Sequence, residues 1–253
     1  MTNPSEPPAT AGGSSVSGGH PAGVPVIGLA HGSRHPRAAA AIETLMTAVG
    51  AAAGAPAHAA YLDLAEPDLS AVVAQLAAEG HRCAVVVPLL FTVAFHATVD
   101  VPQAVAEAAA AYGMELVVTD ILGTGDDVAA VLRGALDGAG VHGDADADAV
   151  LFAVGSSRPE ANDAVADLAA RLADGRRGDV RVAFGTCAPR VADVLADLVP
   201  PVVLWPLFLA DGLLLDPLRR LADERGWTLV EPLGASAAPL VLARYAAARA
   251  RAA

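Results

Sequence analysis

Three residues in this sequence have the types and the placement to do metal chemistry: His31, Asp63 and His96. Each lies where an apolar run stops. His31 follows Val24-Pro25-Val26-Ile27-Gly28-Leu29-Ala30, Asp63 follows Ala57 to Leu62, and His96 comes shortly after Cys83 to Leu90. Two imidazoles and a carboxylate suit borderline divalent ions such as Fe2+, Co2+, Ni2+ or Zn2+, which take nitrogen and oxygen ligands.

The surrounding chain alternates strand and helix signals. Val24–Ala30, Ala57–Leu62, the β-branched run Cys83–Leu90 and Glu115–Thr119 read as strands. The alanine-rich stretch through about Ala53, Leu69–Glu79 and Pro102–Ala111 read as helices. A continuous apolar run such as CAVVVPLL marks a strand covered on both faces, and βαβ alternation implies right-handed units around a parallel sheet. Gly32-Ser33 is expected to open the first helix. In open α/β sheets ligands bind beyond the carboxyl ends of strands, and His31, Asp63 and His96 all fall at that edge.

The order then recurs. Leu29-Ala30-His31-Gly32-Ser33-Arg34-His35-Pro36 returns as Phe152-Ala153-Val154-Gly155-Ser156-Ser157-Arg158-Pro159. Ala60–Asp63 returns as Ala183–Thr186, Val87–Phe91 as Trp205–Leu209, and Asp120–Gly123 as Glu231–Gly234. Four blocks in the same order indicate a duplication. The expected organisation is a disordered tail over 1–23, a catalytic half over 24–137, a Gly/Asp-rich linker over 138–148 and a degenerate second half over 149–253. The second copy is an internal control. His31 faces Val154, Asp63 faces Thr186, and His96 faces Leu213 or Leu214, while the framework Gly, Ser and Pro persist. What is shared serves the fold, and what differs serves function.

Other residues have plainer readings. His20 is a solvated tail residue and His35 a solvated turn residue. His58 and His81 precede strands at the opposite edge of the sheet and are expected to be exposed. His142 lies in the acidic linker. Ser33 lacks the Gly-x-Ser-x-Gly surround of a nucleophile elbow, and Gly123-Thr124-Gly125 lacks the lysine of a P-loop. The 253 residues carry a net charge of −12, with 54% hydrophobic residues and 4% aromatics. The charge argues against a nucleic-acid partner, and the core must rest on Val and Leu. Two separated cysteines fit free thiols in a reducing cytoplasm. No run is long enough to span a membrane and no signal-peptide order is present. A monomer or homodimer acting on a small molecule is expected.

Taken together, Ala30-His31-Gly32-Ser33-Arg34, Tyr61-Leu62-Asp63-Leu64-Ala65-Glu66-Pro67, Val87–Phe91 and His96 with Asp100-Val101-Pro102 resemble the sirohydrochlorin chelatases. These are the cobaltochelatases of the anaerobic cobalamin route and the ferrochelatases of sirohaem synthesis. The resemblance runs over about residues 24–245. It implies two similar doubly wound parallel-sheet α/β domains facing a cleft that holds a tetrapyrrole. It also implies that His31 and His96 bind the metal and take up pyrrole protons, in a family that commonly has glutamate at the place of Asp63. The metal is then a substrate, Fe2+ or Co2+ and by chemistry Ni2+ or Zn2+, and no permanently bound cofactor is expected. Arg34, Arg37 and the amides of Gly32 and Ser33 would meet substrate carboxylates, a local answer to the global negative charge. A non-catalytic metal or tetrapyrrole carrier would use the same residues for binding alone.

Overall fold

The computed structural model describes residues 23–93, 99–141 and 146–252. The sequence-predicted tail up to residue 22, His96 and His142 lie outside the described residues. The first half builds β1 (Val26–Ala30), α1 (Ala38–Ala53), β2 (Ala57–Tyr61), α2 (Leu69–Ala78), β3 (Cys83–Pro88), α3 (Val101–Tyr112), β4 (Glu115–Val118) and α4 (Asp126–Gly138). The second builds β5 (Asp148–Ala153), α5 (Pro159–Ala173), β6 (Val180–Phe184), α6 (Val191–Leu195), β7 (Val202–Pro206), α7 (Leu215–Arg225), β8 (Thr228–Leu229) and α8 (Ala238–Ala252).

The strands form two parallel four-stranded sheets, ordered β2-β1-β3-β4 and β6-β5-β7-β8. The registers repeat: Ala30 pairs with Tyr61 in one sheet and Ala153 with Phe184 in the other. Even the loop contacts are copied. The Tyr61 N–H donates to the Pro67 carbonyl as the Phe184 N–H donates to that of Pro189. Duplicated sequence has become duplicated structure.

The central strands are buried on both faces because their alternate side chains feed two cores. Ile27 and Leu29 point to a cluster with Val72, Leu76 and Val105 of α2 and α3. Val26 and Ala30 point the other way, into a core that both halves share and that holds residues of α1, α4, α5 and α8. Each half sends its last helix across this shared core: α4 packs on α5, whereas α8 packs on α1 and β3. Arg244 of α8 donates to the Ile121 carbonyl and pairs with Asp127, and the Tyr245 hydroxyl donates to the Val24 carbonyl. The halves are therefore clasped and do not stand as separate bodies.

The reversal of strand order between β1 and β3 makes the loops after these strands diverge, and a crevice opens there. β5 and β7 repeat the arrangement. Each β1-type loop turns on a glycine with positive φ, Gly32 at +97° and Gly155 at +88°, a conformation that side chains with a Cβ disfavour.

Three local expectations are corrected. Helix α1 does not begin at Gly32-Ser33: it starts at Ala38, with Arg37 as an N-cap that makes no side-chain capping bond. Ser33 Oγ accepts the His35 N–H instead, and Pro36 keeps the residue before it out of the helical region. His35 is buried and not solvated. His58 lies within β2 and is half-buried, and His81 is buried just past the end of α2. The face of β2 that carries Ala60, and with it His58, is covered by α2, which a strand-edge reading could not foresee.

Candidate functional site

A cleft of about 680 Å³ lies between the carboxyl ends of the two sheets. Its first wall carries His31, Gly32, Ser33 and Arg34, with Leu64 and the Leu89–Thr92 segment; the second carries Val154–Ser157, Asn162 and the Leu207–Leu214 segment. The size suits one small-molecule ligand, and the mixture of broad apolar walls with a few polar groups is that of a binding pocket. Phe208 is stacked on Phe152 with ring centroids 5.6 Å apart, which stiffens the apolar side.

His31 follows the last residue of β1 and is half-buried in the cleft. Its carbonyl accepts the Asp63 N–H at 3.0 Å, so the loops after β1 and β2 are joined beside it. The two backbones approach so closely that a Cβ on Gly32 would lie 1.7 Å from the Asp63 carbonyl oxygen. Asp63 itself is exposed, and its carboxylate accepts the Leu64 N–H at 2.7 Å. That bond goes with the left-handed backbone of Leu64, at φ +62°, which brings the leucine into the cleft wall. The Asp63 carboxylate does not line the cleft.

Four of the sequence-derived candidates thus share one surface: His31, Gly32, Ser33 and exposed Arg34. Arg37 does not join them. Its Nε lies 3.3 Å from a carboxylate oxygen of Asp211 in the second half. Asp211 also accepts from Arg219, whose guanidinium makes a two-pronged contact with Glu231 at 2.8 Å. Hydrogen bonds to Arg219 hold the Glu231 carboxyl below its ordinary range, while Glu231 and Asp211 hold the guanidinium firmly protonated. His35 Nδ1 accepts the Arg37 N–H, and its Nε2 lies 3.4 Å from Asp216 at the start of α7. His35 and Arg37, which a reading from sequence assigns to solvent and to substrate, therefore tie the halves together. His96 lies outside the described residues, and among these no group of three His, Cys, Asp or Glu is placed to hold a metal ion.

Tyr61, at the end of β2, lines the cleft floor, with its hydroxyl donating to the Ala39 carbonyl. Burial, with a contribution from Glu43, pushes its pKa upward, so it remains a neutral donor. Sequence reasoning also passed over Asn162. Its signal was present in the repeat, where the second copy has Asn and the first has Ala39.

Comparison with known proteins agrees with this architecture. The CbiX family matches residues 25–139 and 148–242, both halves of the duplication. Among solved structures, SirB from Bacillus subtilis with Fe3+ superposes with a TM-score of 0.74 at 22% identity, covering 90% of this chain and 96% of that one. The sirohydrochlorin chelatase SirB from Bacillus subtilis subspecies spizizenii in complex with cobalt gives 0.73 at 23% identity, covering 88% and 94%. CbiX, described as the terminal enzyme for biosynthesis of siroheme in denitrifying bacteria, gives 0.65 at 23% identity, covering 91% and 99%. No curated protein matches the sequence significantly. The likeness to the solved structures carries the fold, and the family match covers most of the chain: the chain belongs to the CbiX family.

Proposed function

We propose that this protein is a chelatase that inserts Fe2+ or Co2+ into sirohydrochlorin or a related tetrapyrrole. The observation that carries the reading is the asymmetry of the cleft. Two copies of one loop face it, and the first presents an imidazole at His31 where the second presents Val154. The structural relatives, SirB with Fe3+ and the sirohydrochlorin chelatase SirB in complex with cobalt, support the same reaction class.

Insertion replaces two pyrrole N–H protons by one M2+, so the site must deliver a dication and remove two protons. A neutral imidazole, with a pKa of about 6.5, can ligate a borderline metal or accept a proton near pH 7. His31 and His96 are assigned both tasks, with Asp63 as an accessory carboxylate linked to His31 through the backbone. Arg34 and the amides of Gly32 and Ser33 receive substrate carboxylates. Arg37, committed to Asp211, supports that loop from behind. The apolar segments Leu89–Phe91 and Leu207–Leu209 cover the macrocycle and keep water from the exchanging nitrogens. Free Cys83 and Cys187 suit a reducing cytoplasm, where such a reaction serves sirohaem or cobalamin synthesis.

The test is insertion into sirohydrochlorin, metal by metal, followed by the absorbance change of the macrocycle. Multiple turnover with Co2+ or Fe2+ is expected. Stoichiometric binding without turnover makes the protein a carrier and overturns the proposal.

A further inference from the structure

The two cleft loops are the same fold element held in different ways. In both, the serine hydroxyl accepts the N–H two residues on: Ser33 from His35 and Ser156 from Arg158, each at 3.1 Å. The second loop is also gripped by an asparagine side chain from the helix that follows it. The Asn162 carboxamide accepts the Ser156 N–H at 2.9 Å and donates to the Ser156 carbonyl at 2.8 Å. Its Nδ2 lies 3.6 Å from Cys187 Sγ in the loop after β6. One amide therefore joins the start of α5 to the two loops that shape the second wall. At the equivalent place in the first half stands Ala39, which has no group to do this.

The grip extends to the packing of the loop. A Cβ at Gly155 would lie 2.7 Å from Cys187 Sγ and 2.9 Å from the Phe184 Cβ, so the loop is seated directly on the end of β6. Asn162 itself is half-buried and lines the cleft. With the Ser156 backbone satisfied at both its N–H and its carbonyl, the loop offers Val154 and Ser157 to the cleft from a fixed frame. A wall that is rigid before the ligand arrives loses less entropy on binding, and the gain is read as affinity.

We infer that Asn162 is a positioning residue for the tetrapyrrole: it pre-sets the Val154–Ser157 wall, so that affinity for the macrocycle depends on it while metal handling and turnover do not. The inference rests on the chelatase reading of the cleft.

The full-length protein, wild type against Asn162→Ala and Asn162→Asp, is measured in two assays with metal-free sirohydrochlorin. One is steady-state insertion of Co2+. The other is equilibrium binding of the macrocycle without metal, read by its absorbance. Asn162→Ala raises KM for sirohydrochlorin about tenfold and the metal-free Kd in parallel, with kcat and KM for Co2+ within about twofold. Asn162→Asp keeps the acceptor for the Ser156 N–H and loses the donor to its carbonyl, so it falls between the two. An unchanged Kd in Asn162→Ala overturns the inference, as does a loss of kcat and thermal stability with no change in KM, which is the signature of a structural role. The chelatase reading fails separately. If wild type binds sirohydrochlorin but never turns over, the binding titration still decides the role of Asn162; if it does not bind, both readings fall.

Discussion

The loop after β1 and the loop after β5 began as one sequence and now present opposite faces to a shared cleft. Both turn on a positive-φ glycine, both close a serine turn, and both carry the carbonyl that accepts from the loop after the neighbouring strand. The first adds His31 and a free-facing Arg34; the second has Val154 and the Asn162 grip. Under the proposed function, the difference assigns chemistry to one copy and shape to the other. The fold imposes no such division, because both backbones are equivalent.

The sharpest way to break this comparison is to remove chemistry from one half and bulk from the other. The His31→Ala/His96→Ala double variant is expected to lose insertion by on the order of 10²–10⁴, the range for acid–base groups, with its far-UV circular dichroism unchanged. Val154→Ala, at the mirrored and 46% exposed position, is expected to shift rate and KM by less than about threefold. Equal losses in the two variants would mean that the halves share the chemistry.

The two glycines give the next largest contrast. Gly32→Ala places a Cβ 1.7 Å from a backbone oxygen of Asp63, which cannot move without breaking its bond network. Gly155→Ala meets first a cysteine sulfur at 2.7 Å, a side chain that can be removed. Both incur the positive-φ strain of about 1–3 kcal/mol. Gly32→Ala is expected to exceed that range in urea unfolding, whereas Gly155→Ala stays within it and recovers in part when combined with Cys187→Ala. A smaller loss at Gly32 than at Gly155 would contradict the packing described.

Much of this comparison was legible in the sequence because strands, turns and repeats are local. The β-branched run at Cys83, the Gly-Ser pairs and the Pro-Leu blocks announce themselves within a few residues, and aligning the copies exposes His31 against Val154. Contacts between the halves have no such signature. Nothing near His35 or Arg37 in sequence indicates that Asp216 and Asp211, far along the chain, will contact them, so a reading from sequence places both against solvent or substrate. Likewise the burial of His58 and His81 comes from α2 lying over β2, a tertiary event. The crossing of α4 and α8 between halves is equally invisible to periodicity, which shows that a helix has an apolar face and not which half it will cover.

Those unforeseen contacts supply a third test, on what joins the halves. Asp211 pairs with Arg37 and Arg219 with its side chain 17% exposed, whereas Asp127 pairs with Arg244 at 41% exposure. Asp211→Asn is expected to cost about 1–2 kcal/mol in denaturant unfolding and Asp127→Asn less than about 1, because solvent screens the second pair. The pH sign is the same on both flanks. Burial pushes the Asp127 carboxyl up, but the Arg244 hydrogen bond and charge outweigh it and the net shift is downward; the Arg219 bond lowers Glu231. Such groups contribute fully above the ordinary carboxylate pKa and lose their contribution as pH falls through the lowered folded value. Asp127→Asn therefore shows its small cost at neutral pH and flattens the acid limb, so that the two proteins converge in stability at low pH.

The smallest effect lies at the far end of the first sheet, where His58 on β2 corresponds in register to Arg181 on β6. Burial under α2 lowers the His58 pKa; Glu79 opposes this and His81 adds to it. Folded protein therefore holds fewer protons at this site than unfolded chain. Its stability is full above the unfolded value of about 6.5 and declines as pH falls towards the lowered folded value, by at most about 1.4 kcal/mol per unit of pKa difference. The second half has no histidine at this place, so a histidine contribution here belongs to the first half. His58→Leu removes the titrating group and leaves an apolar side chain under α2. Urea midpoints measured at pH 7.5, 6.5 and 5.5 should fall with pH in wild type and fall less in the variant. Parallel decline in both would place the acid sensitivity elsewhere, and the first half would lose its claim to a titrating core that the second half lacks.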